Sequence, residues 1–395
     1  MKRFFLYTIR SFFLLLPSAG QAPANSNDSI RLSLLTCAPG EEIYSLFGHT
    51  AIRYENPSQG IDAVFNYGLF SFNTPNFIFR FSLGETDYQL GVTDYEHFAA
   101  EYAFYGRSVW QQTLNLTDEE KTKLIQLLQE NYRPENRVYR YNFFYDNCAT
   151  RPRDKIEESI AGKVVYPTEP QDGSRTFRDI VHQYCKGHPW ARFGIDLCIG
   201  SEADQPVTQR QMMFAPFYLM DAFDGAQIFT DTYSRPLVKA NELIIDVTPK
   251  PDESGWMSTP LQCSLLLFIL TAAATIYGIR RRTGLWGIDL VLFGMAGIVG
   301  CVLAFLALFS QHPAVSSNFL LLVFHLGQLL FLPYIVYCVR KGKKCWYLTL
   351  NLVVLTLFIV LFPVIPQRFD FAVVPLALVL LIRSASNLIV TSKKK

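Results

Sequence analysis

A histidine, an asparagine and a cysteine in the first half of this 395-residue chain have the residue types of a nucleophilic site. His49 stands where a predicted strand begins, and Cys148 lies between a predicted strand and a predicted helix. A thiol attacks a carbonyl carbon as the thiolate, and a nearby imidazole or a helix N-terminus lowers the thiol pKa. Asn66, on the strand expected after the one that bears His49, would orient the imidazole. We therefore predict acyl chemistry in which His49 activates Cys148 and the backbone N–H of Cys148 stabilises an oxyanion.

The elements that must position these residues form a strand-rich segment followed by helices. Several runs alternate apolar and polar residues at the period of a strand, and glycines mark the bends between them. A capping box from Thr117 to Glu120 predicts a helix that ends near Asn131, and another helix is expected after Cys148, as far as Ile160. The predicted strands are 30–37, 51–54, 62–72, a run containing Phe77, Phe79 and Phe81, and 138–144.

Other roles for the cysteines of this half stay open. Cys148 could be bridged to Cys37 instead of acting as a nucleophile. Cys185 and Cys198 are predicted to form a disulfide, because they are close in sequence and an exported domain lies in an oxidising compartment.

Two further sets of polar residues also have alternative roles. His182 and His188 flank Cys185, but this spacing without a second cysteine pair is weak evidence for zinc, and we predict no metal and no cofactor. Arg151 and Asp154 form either a surface ion pair or a contact to a phosphate-bearing substrate.

The charges divide the chain into two unlike halves. Residues 261–395 contain 12 Lys and Arg and two Asp, whereas residues 1–260 contain 24 Lys and Arg against 32 Asp and Glu. Only 18% of the residues are charged and 50% are hydrophobic, which argues against an ordinary cytosolic enzyme. An acidic half would not neutralise phosphates, so no nucleic-acid partner is expected.

The second half contains five apolar runs long enough to cross a bilayer as helices. The basic residues between them, Arg280 to Arg282, Arg340 to Lys344, Arg383 and the final lysines, alternate with loops that contain only Arg368. The positive-inside rule therefore predicts an exported N-terminal half and a cytoplasmic C-terminus. The predicted spans are Gln262–Ile279, Trp286–Phe309, Phe319–Val339, Tyr347–Ile365 and Phe371–Val390.

The start of the chain has the basic residues, apolar stretch and small residues of a secretory signal. The resulting interpretation is a multi-pass protein of the bacterial inner membrane with a periplasmic N-terminal domain. Its predicted divisions are a signal peptide at 1–24, an exported catalytic domain at 25–250, a hinge at 251–261, a transmembrane domain at 262–390 and a basic tail at 391–395.

Four separated motifs carry a resemblance to a known family. These are LTCAPG at 35–40, YSLFGHTAIR at 44–53, FNYG at 65–68 and NCATR at 147–151. Together they resemble the exported domain of the lipoprotein N-acyltransferase Lnb family, and the helical half also looks like that family. The order of His before Cys is similar to circularly permuted papain-like, NlpC/P60-type folds. The expected fold is thus an α+β exported domain of this type, followed by an all-α membrane domain of about five transmembrane helices.

The resemblance implies a nucleophilic Cys148 with His49 as its base and Asn66 as the third member, a position whose residue varies among such folds. The implied reaction moves an acyl chain from a phospholipid, through a Cys148 thioester, to the α-amine of a diacylglyceryl-cysteine lipoprotein. The expected partners are therefore these two substrates and the lipid bilayer.

We name Tyr44, Arg151 and His312 as candidate substrate-binding residues, and expect the loop near His312 to lie beneath the exported domain. Five phenylalanines form either an apolar groove for the acyl chain or an ordinary core hairpin. They are Phe70, Phe72, Phe77, Phe79 and Phe81.

Two other functions remain compatible with this sequence. A membrane-tethered cysteine peptidase or amidase acting on the cell wall would use the same Cys148 and His49 pair. A non-enzymatic sensor or assembly domain on a membrane anchor would need neither residue.

Overall fold

The structure is a computed structural model that describes residues 30–73, 75–167, 175–247 and 258–392. The predicted signal peptide lies outside the described residues, as do most of the predicted hinge and the last three residues of the basic tail. The described chain forms an N-terminal α+β domain and a C-terminal helical domain, as the sequence predicted.

The N-terminal domain is built on a seven-stranded antiparallel sheet of order β10-β5-β1-β2-β3-β4-β6, and β7, β8 and β9 form a separate small sheet. Its register pairs Cys37 with His49 and Ala51 with Asn66, so these side chains share one face at one end of the sheet. The strands are β1 (Arg31–Cys37), β2 (His49–Asn56), β3 (Ile61–Leu69), β4 (Asp87–Asp94), β5 (Val109–Leu114), β6 (Val138–Arg140), β7 (Lys163–Val165), β8 (Gln227–Phe229), β9 (Ser234–Pro236) and β10 (Val238–Ile245).

Helices cover both faces of this sheet. Leu124, Ile156 and Phe223, from three different helices, are fully buried against one face, and Phe98 is buried against the other. The helices of the domain are α1 (Phe77–Leu83), α2 (Tyr95–Phe104), α3 (Asp118–Tyr132), α4 (Thr150–Ser159), α5 (Phe177–Tyr184), α6 (Pro189–Cys198), α7 (Gln209–Met212) and α8 (Pro216–Gly225).

Most predicted elements of this domain are confirmed. The strand predictions at 30–37, 51–54 and 62–72 correspond to β1, β2 and β3, and α4 follows Cys148 as expected. Both halves of the predicted capping box are present at the start of α3, where Thr117 accepts from the Glu120 N–H and Glu120 accepts from the Thr117 N–H.

Two strand predictions need correction. The run containing Phe77, Phe79 and Phe81 is the helix α1, because the intervening Ile78 is also apolar and Gly84 ends the helix in the left-handed conformation. The predicted strand 138–144 is a strand only at Val138–Arg140, and the chain then turns towards Cys148.

Within its described residues, the C-terminal domain contains three helices long and apolar enough to cross a membrane, or four if one bent pair counts as a single span. These are α9 (Pro260–Arg281), α10 (Trp286–Phe309) and α14 (Val373–Ser392), and the bent pair joins 319–330 to α12 (Leu332–Lys341) at 74°. Within the pair, a 3-10 turn precedes α11 (Gly327–Leu330). The predicted span Tyr347–Ile365 corresponds to the 16-residue helix α13 (Trp346–Leu361), so five crossings remain a prediction.

Arg383 does not belong with the cytoplasmic basic residues among which the sequence grouped it. Its guanidinium is buried between helices, where it donates to both carboxylate oxygens of Asp289 at 2.7 and 3.0 Å and to Thr275 at 3.0 Å. A charge within apolar helices must be paired. Arg383 of α14 thus binds Asp289 of α10 and Thr275 of α9, which joins the three helices.

The N-terminal domain docks on two loops of the helical domain. The Gly200 N–H donates to Ala314 at 2.6 Å, the Asn318 amide donates to Leu197 at 2.7 Å, and Arg192 pairs with Asp370 at 3.1 Å. Both loops were predicted on the exported side, so these contacts agree with the predicted alternation of the loops. Asn318 and Asp370 thus bind the two domains together.

Candidate active site

Asn147 fixes the turn that carries Cys148. Its Oδ1 accepts from the backbone N–H groups of the two residues after Cys148, at 2.8 and 2.9 Å. Its Nδ2 donates to the carbonyls of Phe143 and Phe214, at 2.8 and 2.9 Å. With both ends of the amide bonded in the protein interior, the backbone on either side of Cys148 is held in one conformation.

The Cys148 thiol lies where the β2–β3 ladder ends, immediately before α4. Its sulfur accepts a hydrogen bond from the backbone N–H of Thr50, the residue after His49. A Cβ on Gly68 would lie 3.6 Å from the Cβ of Cys148, and the φ of +91° at Gly68 favours glycine there. Cys148 is a free thiol, so the alternative of a bridge to Cys37 is not found in the structure.

His49 and Asn66 are hydrogen-bonded to each other, with 3.2 Å between Nε2 and Asn66 Oδ1. The Asn66 amide nitrogen donates to Thr93 Oγ1 at 3.4 Å, which leaves Oδ1 as the atom that faces His49. Because an amide oxygen only accepts, Nε2 carries the proton and the neutral ring has its lone pair on Nδ1. The structure thus brings His49 and Asn66 into contact and puts Cys148 beside the strand residue that follows His49.

The backbone before His49 requires a glycine. Gly48 has a φ of +80°, and a Cβ at this position would lie 2.5 Å from the carbonyl oxygen of Cys37. A larger residue at 48 would therefore displace the start of β2 and with it the imidazole.

Both candidate catalytic groups are neutral at neutral pH. Burial raises the pKa of the Cys148 thiol to about 11, and the bond from Thr50 lowers it by less. Burial lowers the pKa of His49 to about 4, against a smaller rise from the bond to Asn66. Desolvation thus outweighs the contributions that lower the thiol pKa, which come from the backbone N–H groups of Thr50 and Cys148 and from the charge of Arg107, and not from the imidazole of His49 as expected. The arrangement suits an imidazole that takes the thiol proton as the sulfur attacks.

An ion pair between Arg151 and Asp154 is one alternative that the sequence offered, and the structure does not contain this pair. Arg151 makes a bidentate contact with Asp146, at 2.5 and 2.8 Å, and its guanidinium lies 3.6 Å from the centre of the Tyr139 ring. Asp154 pairs instead with Arg153 and Arg210. The turn before Cys148 brings the Asp146 carboxylate to Arg151. The sequence alone does not show whether Arg151 pairs with Asp146 or with Asp154.

A row of aromatic rings leads from the Cys148 region to the helical domain. Tyr141 and Phe70 pack against the same core as Cys148, and Tyr88 lies between them, at 4.2 Å from Tyr141 and 5.0 Å from Phe70. We call the following set the aromatic row: Tyr141, Tyr88, Phe70, Phe72 and Phe77, whose neighbouring rings are in contact, and Phe79, which lines one cavity with Phe72 and Phe77. At its far end Phe79 lies 5.9 Å from Phe305 of α10.

Tyr44 and His312, the other candidate substrate-binding residues, lie beside the row. The Tyr44 ring is exposed and is 6.1 Å from both Phe70 and Phe72. His312 contacts the carbonyl oxygen of Phe81 through Nε2 at 2.5 Å, so it links the helical domain to α1. The structure does not bring His312 to Cys148.

The other candidate cysteine and histidine sites are not formed in the described part of the chain. Cys185 and Cys198 are both free, because Cys185 packs into an apolar cluster while Cys198 closes the last turn of α6. His182 contacts both carboxylate oxygens of Asp196, at 2.9 and 2.8 Å, instead of joining Cys185 in a metal site.

Sequence reasoning missed Asn147 as a positioning residue. The signal was available, since an Asn in a turn commonly bonds backbone N–H groups two or three residues further along, and Asn147 lies three residues before α4 begins. Its second pair of bonds, to Phe143 and Phe214, could not be anticipated, because Phe214 is distant in the chain.

Two family models match this chain. The Lnb N-terminal periplasmic domain matches residues 22–182, and the Lnb transmembrane domain matches residues 252–395. The chain belongs to the Lnb family. No curated protein and no solved structure matches it. The N-terminal α+β domain is therefore the periplasmic domain of an Lnb protein, and the helical domain is its transmembrane domain, which agrees with the resemblance read from the sequence.

Proposed function

We propose that this protein is a lipoprotein N-acyltransferase that uses Cys148 as its nucleophile. The observations that carry the proposal are the hydrogen-bonded pair of His49 and Asn66 and a free Cys148, whose sulfur accepts a hydrogen bond from the backbone N–H of Thr50, the residue after His49. Membership of the Lnb family supports this class of reaction, and docking on the membrane domain supports substrates that reside in a bilayer.

In the first half of the proposed reaction Cys148 attacks an ester carbonyl of a phospholipid. His49 takes the thiol proton on Nδ1 while the sulfur–carbon bond forms, and the Cys148 N–H donates to the oxyanion. The ester C–O bond then breaks, and the imidazolium gives its proton to the departing alkoxide. The products are a lysophospholipid and an acyl thioester on Cys148.

In the second half the α-amine of a diacylglyceryl-cysteine lipoprotein attacks the thioester. His49 removes a proton from the amine as the C–N bond forms, the thiolate leaves, and the same proton returns to sulfur. The product is an N-acylated lipoprotein with three acyl chains. Holding the site at the bilayer surface confines enzyme and both substrates to one plane, which favours their encounter.

Asn66 belongs to the proposal as the residue that fixes the ring of His49. In the proposed mechanism Arg151 stabilises the turn that carries Cys148, since its Nε and Nη2 both donate to Asp146. Tyr44 belongs to the proposal at the edge of the acyl-chain path described next, and His312 as a link between α1 and the membrane domain.

The aromatic row would guide the acyl chain between the bilayer and Cys148. A cavity of about 800 Å³ lies at the membrane end of the row, where α1 meets α10. It is bounded by Phe72, Asn76, Phe77, Ile78, Phe79, Ser82 and Phe305. Ile78 and Phe79 expose more than half of their surface, so the apolar side of this cavity is open to a lipid tail.

The test is acyl transfer from a labelled phospholipid to the purified full-length protein. The proposal expects a label on Cys148 that hydroxylamine releases and that passes to a diacylglyceryl lipopeptide. Cys148→Ser should abolish the hydroxylamine-labile label, whereas Cys198→Ser, a change at another free periplasmic cysteine, should retain it. Cleavage of cell-wall peptides without an acyl-enzyme would instead support the cysteine peptidase or amidase.

A cellular assay separates the proposal from a sensor or assembly role. Mass spectrometry of a lipoprotein N-terminus should detect the third acyl chain with the wild-type protein and not with Cys148→Ala or His49→Ala. If both variants keep full function in cells, a non-enzymatic role is favoured.

A further inference from the structure

Arg107 lies beside the candidate site and has unused hydrogen-bond donors. It follows α2, and its Nε donates to the carbonyl of Ala38 at 2.7 Å. Ala38 comes directly after Cys37, the cross-strand partner of His49. A Cβ on Gly40 would lie 3.5 Å from the Cδ of Arg107, so the side chain runs beneath the loop that leads to His49.

The guanidinium has no anionic partner among the described residues. Its one polar contact within this part of the chain is the bond to Ala38, and its Nη2 is buried without any hydrogen-bond partner. Its remaining contact is with the Tyr102 ring, whose centre is 4.8 Å away. Arginine forms two parallel bonds with a phosphate or carboxylate, and here the donors for such a contact are left free.

The positive charge reaches both candidate catalytic groups. It lowers the pKa of the Cys148 thiol and that of His49, although in both cases burial has the larger effect. An anion bound at Arg107 would therefore lie close to the reacting atoms.

We propose that Arg107 binds the phosphodiester of the phospholipid donor. The inference rests on the proposed function and names the part of the donor that the site recognises. A glycerophospholipid carries its phosphodiester only a few bonds from the ester carbonyls, so a phosphate held by Arg107 would set an ester carbonyl towards Cys148. Arg151, the other arginine near Cys148, is already neutralised by Asp146 and is less suited to this role.

The test compares two acyl donors that differ only in the phosphate-containing headgroup. Full-length protein in detergent is given phosphatidylethanolamine or the diacylglycerol with the same chains, and the Cys148 thioester is measured by mass spectrometry. The wild-type protein should prefer the phospholipid. Arg107→Gln should lower the rate with phosphatidylethanolamine by about tenfold to a hundredfold, as expected for a lost charge-assisted contact, and lower the diacylglycerol rate much less, since there only the effect of its charge on Cys148 and His49 is lost.

Two further variants control for charge and folding. Arg107→Lys keeps the charge and should recover part of the preference for the phospholipid. Arg133→Gln removes an exposed arginine directly after α3, which pairs with Glu130 at 2.9 Å, and should change neither rate. If Arg107→Gln lowers both donor rates equally, Arg107 acts on the transition state or the fold and the inference is overturned, as it is if neither rate changes.

A binding measurement keeps the inference separate from the proposed reaction. Native mass spectrometry of the Cys148→Ala protein should detect retained phosphatidylethanolamine, and adding Arg107→Gln should reduce that retention but not retention of diacylglycerol. A wild-type protein that never forms a thioester would contradict the proposed function, while this binding difference would still support or overturn the role of Arg107.

Discussion

Arg178 and Arg107 lie in the same periplasmic domain, but the protein surrounds them in opposite ways. Arg178 is fully buried and donates to Asp196, to Asp204 and to the carbonyls of Ile199 and Gly200. Arg107 donates to a single carbonyl and has no carboxylate partner in the described residues. The described residues thus supply hydrogen-bond acceptors to all three nitrogens of the Arg178 guanidinium, but they leave Nη2 of Arg107 without an acceptor.

The difference separates structure from binding. The Arg178 cluster shapes the loop after α6 that docks on the membrane domain, since Arg368 of that domain contacts both Asp179 and Asp204. A buried charge with every partner present is a rigid part of the fold. Unpaired donors near a nucleophile instead mark a place where a ligand can bind. We therefore expect changes at Arg178 to affect stability and changes near Cys148 to affect activity.

The largest effect is expected from Cys148→Ala. Loss of the nucleophile should reduce lipoprotein N-acylation by about a thousandfold or more, as for other enzymes with covalent intermediates. The midpoint of thermal unfolding should change little, because the thiol is only half-buried. Lipopeptide acylation and a melting curve on the same preparation check both parts. A large loss of stability would contradict the proposal that the Cys148 site serves the chemistry while the Arg178 cluster serves the fold.

Arg178→Met should act on stability instead of chemistry. It leaves the carboxylates of Asp196 and Asp204 buried without their cation, which costs about 3–5 kcal/mol in the free energy of unfolding. Denaturant unfolding of the full-length protein measures this cost. The exposed pair of Lys155 and Glu158 provides the control, and Lys155→Met should cost less than about 1 kcal/mol. Equal costs at the two sites would remove the distinction drawn for Arg178.

Asn66→Ala should reduce kcat by about tenfold to a hundredfold while KM changes little. The imidazole would lose the acceptor that keeps the proton on Nε2, so a smaller fraction of His49 would offer Nδ1 to the thiol. Asn66→Gln provides a comparison in which the acceptor is present but displaced. Steady-state kinetics with a lipopeptide acceptor test the prediction, and an unchanged kcat for Asn66→Ala would remove Asn66 from the site.

The pH dependence of alkylation tests the neutral state of the site. With the pKa of Cys148 raised to about 11, the thiolate is scarce at pH 7, and its reaction with iodoacetamide should accelerate about tenfold per pH unit up to pH 10. A rate that is already constant from pH 5 to 9 would indicate a thiolate–imidazolium pair instead.

The smallest predicted effect concerns His49 and acid stability. Its pKa is about 4 in the folded protein against 6.5 for the ordinary group, so between these values the unfolded chain binds a proton that the folded chain does not. Stability should therefore fall as the pH is lowered through this window. Urea unfolding at pH 7 and pH 4.5 should show a smaller difference for His49→Gln than for the wild-type protein.

The sequence predicted the local elements of the site well. The capping box of α3 depends on residues three positions apart, and the placement of His49 and Asn66 on neighbouring strands follows from a short hairpin. It predicted α1 poorly, because the apolar residues at 77, 79 and 81 fit a strand, whereas those at 77, 78 and 81 fit one face of a helix equally well. The contact between Phe79 and Phe305 of the membrane domain, far along the chain, is not visible in that local pattern.

The amino-acid order by itself determined the division into a periplasmic and a membrane half, the apolar helices and the identity of the candidate Cys, His and Asn. These features depend on the length of apolar runs and on close neighbours in the chain. Only the tertiary structure decided that Arg151 pairs with Asp146, that Arg383 is buried with Asp289, and that Arg107 keeps its donors free. Partner choice and desolvation depend on which distant segments meet, and in this protein desolvation keeps Cys148 and His49 neutral.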